Sequence, residues 1–131
     1  MERPGLTTTS ILEERQVDGV ILLTVQRTLK GEGEATLKER LEALTRAGHL
    51  QILIDLQHMP YIDSTELGRL IRAHLSVRQA GGRVRLCNIS EKVMTLMKLT
   101  RLDTVLELYA TEAEAVASVR SHAAKDPSPR S

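Results

Sequence analysis

Apolar residues recur along this chain in two alternating rhythms. Short continuous runs read as strands, and longer stretches with a hydrophobic stripe every three or four positions read as helices. Residues 10–16 can pair as a first strand, with Asp18-Gly19 as the turn into residues 20–26 (VILLTVQ), β-branched and almost wholly apolar. The two predict an antiparallel hairpin. Gly31 and Gly33 break the chain, and residues 35–47 form a helix pattern with Leu37, Leu41 and Leu44 on one face and Gly48 at its end. Residues 50–56 (LQILIDL) form a second apolar strand whose lack of alternation predicts burial on both faces.

After a loop containing Pro60, a helix is predicted from near Asp63 to about Ala80. Leu67, Leu70, Ile71 and either His74 or Leu75 point inward, and Gly81-Gly82 stops it. Residues 83–87 (RVRLC) give a short strand. Ser90 caps a helix that holds Val93, Met94, Leu96 and Met97. Residues 104–109 give a last strand, and Thr111 and Glu114 are spaced as a capping box for a final helix to about Ser121.

The predicted order is β-β-α-β-α-β-α-β-α. It argues for a single α/β domain whose mixed sheet is mostly parallel beyond an opening antiparallel hairpin and is packed by helices. A length of 131 residues fits one domain. Residues 1–9 read as a flexible lead-in, 10–121 as the domain and 122–131 as a disordered tail.

Composition narrows the chemistry. With two Tyr and no Phe or Trp, the core must be aliphatic, and aromatic stacking on bases is nearly absent. Eighteen basic and 17 acidic residues leave a net charge of +1, so no broad field draws the chain to nucleic acid or anionic lipid. The longest apolar runs are about six residues, far short of the roughly 20 that cross a bilayer. The single Cys87 excludes an internal disulfide and reads as a buried small hydrophobe. The expectation is a cytoplasmic protein with no direct nucleic-acid contact and no membrane insertion.

No catalytic constellation, metal site or cofactor is expected. His49, His58, His74 and His122 show no metal-ligand spacing. Gly31-Glu32-Gly33 lacks the third glycine and the strand context of a dinucleotide fingerprint. Arg69, Arg72 and Arg78 read first as a solvated helix face, with contact to an acidic partner as the sharper alternative.

The informative stretch is DLQHMPYIDSTELG, residues 55–68. A buried strand ends, a short loop follows, and a helix starts at Asp63-Ser64-Thr65-Glu66. Asp63 suits the N-cap, and Glu66 stands three residues on, as a capping box requires. Ser64 then occupies the first helical position, with its hydroxyl expected in solvent at the carboxyl end of the sheet. A phosphate there would add a charge of about −1.5 to −2 beside Asp63 and Glu66. Taken alone, such a serine most often belongs to an ordinary helix start.

The strand-loop-helix ILIDLQHMPYIDSTELG resembles the signature of STAS-domain anti-sigma-factor antagonists, in which an apolar strand leads to Asp-Ser-(Ser/Thr)-Gly-Leu-Gly. Ala80-Gly81-Gly82, the strand ending Leu86-Cys87-Asn88, the helix started by Ser90 and the upstream VILLTV extend the resemblance over about residues 10–120. It implies a non-enzymatic module that binds a cognate anti-sigma factor of the serine-kinase type and so releases a sigma factor. The kinase would phosphorylate Ser64 and dissolve the complex, and a PP2C-type phosphatase would restore it. Asp63, Ser64, Thr65, Glu66, Leu67, Gly68 and Leu29 would form the contact surface, with Thr65 as a second available hydroxyl.

Three positions depart from that pattern. Glu66 stands where the family has Gly, and the family's Gly-x-Leu-Asp reads Arg27-Thr28-Leu29-Lys30. They leave open a diverged contact surface or a lost phosphorylation. The alternative function is a constitutive STAS scaffold, or an accessory subunit of a signalling assembly or lipid ABC transporter, with Ser64 a cap only.

Overall fold

In the computed structural model the described residues are 7–8 and 12–125. The order is β1 (Thr7–Thr8), β2 (Leu12–Val17), β3 (Val20–Val25), α1 (Glu32–Arg46), β4 (Gln51–Asp55), α2 (Ser64–Gln79), β5 (Arg83–Cys87), α3 (Glu91–Leu99), a 3-10 turn (Leu102–Thr104), β6 (Glu107–Leu108) and α4 (Glu112–Lys125). The strands lie side by side in chain order in one sheet. β1–β2 and β2–β3 are antiparallel, and β3–β4, β4–β5 and β5–β6 are parallel.

The opening hairpin forms as expected. Val17 pairs with Val20, and Asp18 and Gly19 both take positive φ, 53° and 79°, as a two-residue turn matched to strand twist requires.

A sheet that steps always in one direction sends successive right-handed crossovers over the same face. The larger core lies on one face accordingly. Ile21, Leu23, Ile52, Ile54, Val84 and Leu86 pack there with Leu37, Leu41 and Leu44 of α1, Leu70 and Val77 of α2, and Val93 and Met97 of α3. On the opposite face Val20, Leu22, Leu53 and Cys87 are covered by Ala115, Val116 and Val119 of α4. Two ion pairs, Arg15–Glu112 and Arg120–Asp18, tie α4 to the opening hairpin. The expected capping box of α4 is present: the Thr111 hydroxyl accepts from the Glu114 amide at 3.1 Å, and the Glu114 carboxylate accepts from the Thr111 amide at 3.3 Å.

Three boundaries differ from expectation, and one alternative is settled. The predicted last strand, 104–109, is only Glu107–Leu108. Arg101 turns left-handed at φ 66°, and Val105 and Leu106 donate back to the Leu102 carbonyl at 3.0 and 2.8 Å, winding the preceding residues into a 3-10 turn. The final helix runs to Lys125, four residues into the expected tail, consistent with the high helix propensity of Ala123 and Ala124. Residues 126–131 of that tail lie outside the described residues. In the lead-in, Thr7–Thr8 pairs with β2, and the other residues of 1–9 lie outside the description. Of the two candidates on α2, His74 is buried and Leu75 is 50% exposed.

Candidate functional site at the start of the second helix

β4 ends in a buried carboxylate that fixes the carboxyl end of the sheet. Asp55 is fully buried and accepts from the Thr24 hydroxyl of β3 (3.0 Å), the Gln57 amide and side chain (2.9 and 2.8 Å) and the Asn88 side chain beyond β5 (2.9 Å). Four donors satisfy the charge without a cation and join three strands. The loop that follows is held from α3: Ser90, which caps α3 by accepting from the Val93 amide at 3.1 Å, also donates its hydroxyl to the Pro60 carbonyl at 2.9 Å.

α2 begins with the capping box read from the sequence. Asp63 accepts from the Glu66 amide at 2.9 Å, and the Glu66 carboxylate accepts from the Asp63 amide at 3.4 Å. Ser64 is the first residue of the helix, and both it and Thr65 are exposed. Leu67 and Gly68 are half-buried, Leu67 against the main core.

Two residues expected on the contact surface are turned inward. Leu29 is 1% exposed and Glu66 7% exposed, so neither side chain is offered to a partner. The loop after β3 explains why. The other Glu66 oxygen accepts from the Thr28 hydroxyl at 2.7 Å and from the Leu29 amide at 3.2 Å. Leu29 itself drops into the core. Glu66 therefore fastens the β3–α1 loop to the start of α2.

Above that buried tie lies an exposed one. The Lys30 ammonium meets the Asp63 carboxylate at 2.6 Å, each side chain about half exposed. The hydrogen bond from Lys30, seconded by the Glu66 amide, holds the Asp63 carboxyl below its ordinary range, and Asp63 in turn raises Lys30. Two of the departures thus act at the same junction, Glu66 tying Thr28 and Leu29 to the start of α2 and Lys30 pairing with Asp63.

Tyr61, 67% exposed, stands in the same loop, with the Lys92 ammonium 4.8 Å from its ring centroid. Sequence reasoning did not place this pair at the site. An exposed aromatic within the motif was the available signal, while Lys92 lies 31 residues away.

No group of three or more His, Cys, Asp or Glu among the described residues could hold a metal ion. Burial, with the Asp55 and Glu112 carboxylates, pushes the Cys87 thiol up to about 12, which suppresses the thiolate. Arg69 and Arg72 line a groove of about 220 Å³ between α1 and α2 with Leu37, Lys38, Leu41, Ala73 and Ser76, below the usual size of a small-molecule site. No helix among the described residues is long and apolar enough to cross a membrane.

The comparisons with known proteins converge. Residues 12–115 match the STAS domain family. A Thermotoga maritima protein, named provisionally as an anti-sigma factor antagonist, is 30% identical over 105 residues, covering 79% of this chain and 93% of its own. The anti-sigma-B factor antagonist of Listeria monocytogenes is 28% identical, covering 79% and 90%. The crystal structure of the Thermotoga maritima protein superposes with a TM-score of 0.71 over 82% of this chain and 92% of that one. The phosphorylated form of the Bacillus cell fate determinant SpoIIAA shares the fold at 17% identity, with a TM-score of 0.63 over 82% and 98%.

Proposed function

The chain belongs to the STAS domain family, with relatives named anti-sigma factor antagonists, and from that premise we propose that it binds a cognate anti-sigma factor and is switched off by phosphorylation of Ser64. The partner on this reading is a serine kinase of the cytoplasm. It transfers the γ-phosphoryl group of ATP to the Ser64 hydroxyl, releasing ADP and the hydroxyl proton. A PP2C-type phosphatase hydrolyses the ester and restores binding. The chain itself performs no chemistry.

The observation that carries the reading is the exposure of Ser64 at the first position of a firmly capped helix. A kinase can reach that hydroxyl without unfolding anything. Asp63, Thr65, Gly68 and Tyr61 surround it as the contact surface. A phosphate adds about −1.5 to −2 charge to a surface a partner must desolvate, and like charge or lost pairing there weakens a complex steeply.

The test uses the anti-sigma factor identified by affinity capture with the full chain. Incubated with that protein and Mg-ATP, the chain is expected to gain one phosphate by intact mass, and Ser64→Ala none. Ser64→Asp is expected to weaken the complex at least about tenfold by calorimetry. An unchanged mass together with normal binding by Ser64→Asp would reject the switch.

A further inference from the structure

The amino end of α2 already holds an anion of its own, the Asp63 carboxylate. The Asp63 carboxylate already accepts from the Glu66 amide at 2.9 Å. One of the backbone groups that ordinarily receive a phosphate at a helix start is therefore held by the chain's own carboxylate. A phosphate on Ser64 would also stand beside the negative charge of Asp63, a like-charge neighbour. A cation from outside the helix would offset that repulsion.

Lys30 is placed to supply one. Its ammonium lies 2.6 Å from the carboxylate of the residue next to Ser64, and its side chain is half exposed, free to swing without disturbing packing. Its backbone does not share that freedom. Leu29 is buried, and the Leu29 amide and Thr28 hydroxyl are fastened to Glu66 at 3.2 and 2.7 Å. An ammonium has three donors, enough for Asp63 and a phosphate oxygen together, and a phosphate dianion attracts it more strongly than a single carboxylate does.

We propose that Lys30 is the resident counter-ion of phosphorylated Ser64, shifting from its pairing with Asp63 to hold the phosphate. The exposed ion pair then becomes part of what a partner reads: present in the unmodified chain, rearranged in the modified one. The inference rests on Ser64 as the modified residue, but its test needs no kinase.

Phosphoserine is installed at position 64 of the full chain by an expanded genetic code, and the phosphate is titrated by phosphorus NMR in the parent, Lys30→Met and Lys30→Arg chains. The charged groups nearest it along the chain and through the ion pair are Asp63, Glu66 and Lys30, while Lys92 of α3 is held over the Tyr61 ring of the preceding loop. A nearby cation favours the dianion, so the midpoint is expected lower in the parent than in Lys30→Met by roughly half a pH unit. Lys30→Arg should keep the lowered midpoint, and the gap should shrink at high salt. Equal midpoints in the parent and Lys30→Met would overturn the proposal while leaving the kinase assay free to stand or fall by itself.

Discussion

Glu66 is an acidic residue at the third position of a helix, and its surroundings account for each oxygen. One accepts from the Asp63 amide, the other from the Thr28 hydroxyl and the Leu29 amide. Glu66→Gly is expected to lower stability by about 2–3 kcal/mol, through unsatisfied donors and a glycine in the first turn. Glu66→Gln, which keeps one acceptor oxygen, should lose about 1 kcal/mol. Urea melts should show a lower midpoint at constant slope. The capping half of this arrangement was legible in the sequence because its partners are three residues apart. The loop half was not, since Thr28 and Leu29 lie 38 and 37 residues from Glu66.

Cys87 gives the pH dependence at this scale. An unfolded thiol titrates near 9.0 and the native one near 12, chiefly through burial. Between those values the unfolded chain releases the proton and the native one keeps it. The contribution is therefore complete below pH 9 and declines as pH rises toward 12, at up to about 1.4 kcal/mol per pH unit. The stability difference between the parent and Cys87→Ala, followed by urea melts from pH 8 to 11, should shift against the parent as pH rises.

At the scale of elements, β3 and β4 are nearly continuous apolar runs, and β3 proved buried along its length and β4 from Ile52 onward. The Asp18-Gly19 turn was equally legible, because a two-residue hairpin needs positive φ at both positions. β6 was not. Its apolar alternation resembles a longer strand, but local hydrogen bonds to the Leu102 carbonyl claim Val105 and Leu106 first. Gly82 carries a constraint that no pattern exposes. A Cβ there would stand 2.7 Å from the Leu50 carbonyl oxygen and 2.8 Å from Val77 Cγ1, where the end of α2 crosses the start of β4. Gly82→Ala is expected to cost about 1–3 kcal/mol, read as a lower urea midpoint.

On the scale of the whole molecule, the alternation of strands and helices was enough to give an α/β sheet, and the direction of its steps explains the rest. Strand order never reverses among the described residues, so their sheet has no switch-point crevice of the kind in which doubly wound folds bind ligands. What it offers at its carboxyl end is a rigid surface, pinned by Asp55 across three strands, well suited to meeting another protein. Asp55→Ala would strand four donors and is expected to lower stability by several kcal/mol, with loss of binding following from a loosened surface around Ser64.

That one-way arrangement also sets a timetable for synthesis. Each strand emerging from the ribosome finds its neighbour already made, and domains fold as the chain is produced, amino end first. The helix that shields Val20, Leu22, Leu53 and Cys87 comes out after every strand it covers. A nascent chain should thus hold a nearly complete sheet with one greasy side bare until residues 112–125 clear the exit tunnel. An arrest-peptide force profile should register that closure as a distinct late pull.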